Sequence, residues 1–84
     1  MNEEQRIDEV IEAIRGELPP FVSVNWKKWG DVLTQVAPGT VANDCSKGVG
    51  PDETLYIGRY RSHPRESFLR YYRGKIRIAG VLHD

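Results

Sequence analysis

Long apolar runs are the first thing this chain lacks. Its longest one, Ile78-Ala79-Gly80-Val81-Leu82, falls far short of the roughly 20 residues a membrane-spanning helix needs. No secretory leader is expected either: Asn2-Glu3-Glu4-Gln5 is acidic where a signal peptide is basic and then apolar. Cys45 is the single cysteine, so no internal disulfide can form, whereas small secreted domains depend on several. A cytoplasmic location and no membrane association are therefore expected. One cysteine and two histidines, His63 and His83, lack the paired spacing of a zinc site. Asp44, Asp52 and Glu53 do not follow calcium-loop spacing. No metal and no other cofactor is expected.

Catalytic signatures are scarce as well. Nothing around Cys45 resembles a nucleophile elbow, and Ser62-His63 are sequence neighbours, which seldom form a triad. Gly48-Val49-Gly50-Pro51 has Lys47 before its glycines and a proline after them, the reverse of a phosphate loop. With 84 residues in a single domain spanning 1–84, the core is thin and a deep cleft is hard to carve. The chain reads as a binding protein, not an enzyme.

What is present begins with a helix. Asn2 and Gln5 stand at capping-box spacing. Ile7, Val10, Ile11, Ile14 and Leu18 then fall on one stripe, and Gly16 and Pro19-Pro20 end the segment. Phe21-Val22-Ser23-Val24, Thr40-Val41-Ala42, Thr54 to Tyr60 and Lys75 to Leu82 read as strands, the last with Lys75 and Arg77 on one exposed side. Residues 43–53 read as a long polar loop. Ser62 or His63 is expected to cap a short helix that has Pro64 in its first turn and ends before Gly74. The expected fold class is α+β: an N-terminal amphipathic helix over 3–16 packed on a small, mostly antiparallel sheet within a β-rich part over 21–84, with a short second helix over 64–73.

The formal net charge of zero hides an asymmetry. Residues 1–20 carry six acidic side chains against two arginines. Residues 59–77 carry seven basic ones against Glu66. The basic run is interleaved with Tyr56, Tyr60, Phe68, Tyr71 and Tyr72. Arginine grips anions bidentately and aromatic rings stack on bases, so Tyr60, Arg61, Arg70, Arg73 and Arg77 are the candidate partner-binding residues. The bland alternative is that the aromatics pack the core while the arginines pair with the acidic first helix. A dedicated nucleic-acid binder is normally basic overall, which this chain is not. An acidic protein surface fits the same charges. Trp26 and Trp29 form a second candidate surface, although so small a core should claim at least one of them.

Residues 29–80 also resemble the short β-repeat of the mannose-binding lectins that forms the lectin head of natterin-type toxins. Val36-Ala37-Pro38-Gly39-Thr40-Val41 matches the Pro-Gly-small-Val turn. Glu53-Thr54-Leu55-Tyr56-Ile57-Gly58-Arg59 matches the Leu-Tyr-Val-Gly-Arg strand, and Gly74-Lys75-Ile76 the Gly-Lys-Val strand. The family has two such repeats where this chain has one, and its closing Pro-Tyr-Gly-Gly segment is reduced to Gly80. The resemblance implies carbohydrate binding, with Asp44 and Lys75 hydrogen-bonding sugar hydroxyls and Arg59 grouped with them as ligand residues. It also implies a homodimer, since one repeat would need a second copy. The expected function is thus a small lectin-like binding module. The alternative is a phage- or plasmid-type inhibitor that docks on a protein or nucleic-acid machine through the basic–aromatic surface 56–77.

Overall fold

The structure is a computed structural model that describes residues 2–34 and 36–76. Helix α1, Glu3–Arg15, opens with the expected capping box. The Gln5 amide donates to Asn2 Oδ1 at 2.8 Å, and the Asn2 amide donates back to Gln5 Oε1 at 3.2 Å. Two of the four amides that a helix start leaves unpaired are thereby satisfied. Glu3 and Glu4 sit at the positive end of the helix dipole and Arg15 at the negative end. Ile11 and Leu18 are buried, and Ile7, Val10 and Ile14 pack against the core from its edge.

Strand β1, Phe21–Ser23, follows the two prolines. A single turn of helix, α2, spans Trp29–Val32, and α3 spans Pro38–Ser46. Strands β2, Leu55–Ile57, and β3, Tyr60–Pro64, form a hairpin that leads directly into α4, Arg65–Arg73. The sheet is antiparallel with the order β1-β3-β2, so β1 and β2 are its edges. Phe21, Val22 and Ser23 lie opposite Pro64, His63 and Ser62; Leu55, Tyr56 and Ile57 lie opposite Ser62, Arg61 and Tyr60. The domain is α+β, with its first helix where the sequence places it.

Phe68 of α4 is the centre of the core. It is fully buried and meets Trp29 edge-on at 5.6 Å, Tyr72 in a stack at 6.0 Å and the His63 ring at 6.3 Å. Val22 and His63, directly opposite each other, fill the side of the sheet that faces α4. Helix α1 lies along the other side of α4. Trp29 is buried and its indole N–H donates to the Val36 carbonyl at 2.7 Å; Trp26 is partly buried against the same cluster. The tryptophans therefore serve the core.

Several expectations need correction. Residues 40–42 are helix, not strand: Pro38 occupies the first turn of α3, where its missing amide hydrogen costs nothing, and its fixed φ suits a helix. Val41, Asp44 and Cys45 then form the inward side of that helix. The 43–53 loop accordingly begins only after Ser46, and among the described residues the part beyond residue 20 is more helical than β, its three strands being short. The strand over 54–60 is broken by a two-residue turn at Gly58-Arg59. Gly58 has φ +64° while Arg59, like every other non-glycine residue among those described, does not have positive φ, the pattern a type II′ hairpin turn demands. Ser62 and His63 are buried in β3 and do not cap α4, whose N-cap is Pro64. Lys75 lies in the turn that ends α4, not in a strand. The rest of the expected last strand, from Arg77 on, lies outside the described residues.

Candidate interface

The sheet register sorts the exposed side chains by face. Val22 and His63 face α4; Arg61 and Tyr56, two residues along and paired with each other, share that face beyond the end of the helix. The opposite face carries Phe21, Leu55, Ile57 and Tyr60, with Ser23 and Ser62 between them. Among the described residues α4 packs on the sheet from the other side, and on this face Ser62 is buried between its neighbours. Ile57 is 66% exposed, Tyr60 and Phe21 52%, and Leu55 38%. Tyr56 is more open still, and the Arg61 guanidinium lies 5.9 Å from its ring centroid. Leu55, Ile57 and Tyr60 lie together on the hairpin, with Phe21 apart from them across buried Ser62, and exposed apolar side chains grouped as these three are mark interaction sites.

The basic run splits into two groups. Arg70 pairs with Asp52 at 2.9 Å, Arg73 with Asp8 of α1, and Lys75 with Asp44 at 2.7 Å. Arg15 of α1 reaches back to Glu66 and is held further toward its charged form by it. The acidic first helix thus neutralises part of the basic run. These cross-helix pairs span a groove of about 260 Å³ between α1 and α4. Arg65 donates to the Leu18 carbonyl at 3.3 Å and lies 4.0 Å from Glu66. Arg59 and Arg61 are different: among the described residues neither has a carboxylate partner, and both are on the hairpin. Arg77 lies outside the described residues.

Asp44 and Lys75, paired in the lectin reading, do come together. Asp44 is buried on α3, and its Oδ2 accepts a hydrogen bond from the Tyr71 hydroxyl at 2.7 Å while meeting Lys75 Nζ. Lys75 Nζ also lies 5.5 Å from the Tyr71 ring centroid. The lysine, and then the phenol, hold the Asp44 carboxyl below its ordinary range. Burial, reinforced by the Asp44 carboxylate, pushes the Tyr71 phenol up. The arrangement pins α3 to the end of α4. Arg59, in the hairpin turn, makes no hydrogen bond or ion pair with either residue.

Two further candidates have structural roles. His63 is fully buried, and its Nδ1 lies 3.0 Å from the Glu53 carbonyl, which assigns the ring proton to that nitrogen. Together with the Glu53 amide, which donates to Ser67 Oγ at 2.8 Å, this contact fixes the approach to β2. Cys45 is half-buried beneath Gly50. Among the described residues no three histidine, cysteine or acidic side chains cluster as metal ligands. No helix among them is long and apolar enough to cross a membrane.

Phe21 and Leu55 are not among the residues the sequence singles out, because composition alone does not tell which face of a strand is covered. The signal that identifies them is Gly58-Arg59, a Gly-X pair between two β-prone runs, which marks a hairpin. Comparison with family models, curated proteins and solved structures finds no match to this chain. The functional case rests on its own geometry.

Proposed function

We propose that this chain is a non-enzymatic interaction module that docks a protein partner through the β2–β3 hairpin. The observation that carries the reading is the open face of Leu55, Ile57 and Tyr60 on the hairpin, with Arg59 in its turn and Arg61 on its reverse side, neither arginine having a carboxylate partner among the described residues. Burying that face releases ordered water from apolar surface. Arg59 and Arg61 select a partner that sets carboxylates around an apolar patch. An inhibitor that blocks a protein machine is one form of this activity. Nucleic acid is the weaker fit, because Arg70, Arg73 and Lys75 already hold carboxylates. The test is capture from a lysate of the producing cells with the wild-type chain and with the Ile57→Asp/Tyr60→Ala variant. A partner held by the wild type and by Arg70→Ala, but lost with the hairpin variant, is the expected result. Capture that ignores the hairpin substitutions sinks the reading.

A second reading, carbohydrate binding, draws on the meeting of Asp44 and Lys75. A vicinal diol would exchange their direct contact for hydroxyl contacts with both. Mannose titration followed by tryptophan fluorescence tests it, and the absence of a saturable change at millimolar sugar would exclude it.

A further inference from the structure

The two edges of the sheet are not equivalent. β1 is preceded by Pro19-Pro20, and Ser23 turns the chain at its far end through a hydrogen bond with Asn25. β2 has no such guard: Leu55, Tyr56 and Ile57 are all exposed, there is no proline or lysine in the strand, and its single partner among the described residues is β3. An unguarded edge is a template for another strand. A two-residue hairpin loop closes on a hydrogen-bonded pair, here Ile57 and Tyr60, so the hydrogen-bonding pattern alternates from there. Leu55 and Ile57 therefore direct their backbone polar groups to β3, and Tyr56 directs its amide and carbonyl outward.

The sequence around Tyr56 is complementary to itself when reversed. Leu55 and Ile57 flank it at one residue, Thr54 and Gly58 at two, and Glu53 and Arg59 at three. We infer that β2 pairs antiparallel with β2 of a second copy about a two-fold axis at Tyr56, bringing Glu53 of each copy beside the Gly58-Arg59 turn of the other, within the sweep of the Arg59 side chain. In this register the outward amide and carbonyl of Tyr56 meet their symmetry mates. Leu55 meets Ile57 of the second copy on the open face, so the two sheets join into one of six strands with a continuous apolar side. Arg59 gains the carboxylate partner it lacks among the described residues. Glu53 is exposed and its side chain makes no hydrogen bond or ion pair among the described residues; its backbone is held by Ser67 and His63, which fixes the strand start without occupying the carboxylate. The interface is isologous, as two-fold dimers require. The inference rests on reading the hairpin as a docking surface and names a second copy of this chain as its occupant.

The experiment is sedimentation equilibrium on the full chain over a wide concentration range, with four proteins: wild type, Glu53→Arg, Arg59→Glu and the double variant. Both positions are exposed, and circular dichroism verifies that each variant folds. The wild type is expected to show a monomer–dimer equilibrium. Each single reversal sets like charges beside each other at two symmetric places and is expected to weaken the dimer on the order of tenfold. The double variant restores both pairs with exchanged signs and is expected to regain wild-type affinity to within about threefold. A wild type that stays monomeric into the millimolar range overturns the inference, as does a dimer indifferent to all three variants. Neither result bears on capture of a different protein by the hairpin, so the docking reading is judged separately.

Discussion

Gly50 shows how a single hydrogen atom can decide a packing contact. A Cβ added there would stand 2.8 Å from Cys45 Sγ and 3.1 Å from the Cys45 backbone, closer than neighbouring atoms tolerate. Because part of the obstruction is backbone, a side-chain rotation cannot relieve it. Gly50→Ala is expected to cost about 1–3 kcal/mol, read as a lower urea midpoint. Gly39, the second residue of α3, is the control, since a Cβ there meets nothing within 4 Å. Gly39→Ala is expected to be neutral or to stabilise by up to about 1 kcal/mol through helix propensity. Equal losses at the two sites would mean that crowding against Cys45 is not the cause. Neither glycine has a sequence context that reveals this difference; Gly50 is special because of Cys45, which the fold brings beneath it.

At the scale of elements, α3 and α4 are joined through Asp44, and that junction titrates. The Asp44 carboxyl is held below its ordinary value in the fold, chiefly by Lys75. A group depressed in this way stabilises the fold above its unfolded pKa, about 4, and the contribution is lost as pH falls through the lower folded value. Asp44→Asn is therefore expected to be less stable than wild type at neutral pH and to lose less on acidification from about pH 4 to pH 2. Urea midpoints of the two proteins across that range give the comparison, and parallel acid profiles would contradict it. Tyr71 runs the other way: its phenol is pushed up, so its contribution is present below about pH 10 and declines as the pH rises toward the folded value. The hairpin has its own test. Gly58 holds φ +64°, where a β-branched residue is strained, so Gly58→Val is expected to cost about 1–2 kcal/mol. These elements were unequally legible in the sequence. α1 was plain, because its cap and stripe are local and periodic. α4 was also visible, between Pro64 and Gly74, although its N-cap was misplaced by one or two residues. α3 was hidden because Pro38-Gly39 is as good a turn as a helix start, and the burial of Val41 and Asp44 that decides between them is tertiary. Asp44 and Lys75, which the lectin resemblance sets in one site, do meet, but their contact with Tyr71 leaves no sequence signal, since it depends on how α3 docks on α4.

For the whole molecule, the charge asymmetry and the apolar asymmetry have separate destinations. The acidic first helix meets α4 through Arg15–Glu66 and Arg73–Asp8, exposed pairs whose worth is limited by solvent screening. The apolar side chains divide between a core centred on Phe68 and the open side of the sheet. This division makes a prediction about stability and solubility together. Phe68 is fully enclosed, and Phe68→Ala is expected to cost about 3–5 kcal/mol, a large share of what so small a domain has. Ile57 is as apolar as many core residues, yet 66% of it faces solvent. Ile57→Lys is therefore expected to change the unfolding free energy by no more than about 0.5 kcal/mol. The measurement belongs at the lowest workable concentration, because self-association adds to apparent stability by mass action. The same substitution removes apolar surface from an unguarded sheet edge, so the concentration at which the protein precipitates should rise. A core-sized loss of stability for Ile57→Lys at that dilution would show that the chain itself covers this face, and with it the docking surface would disappear.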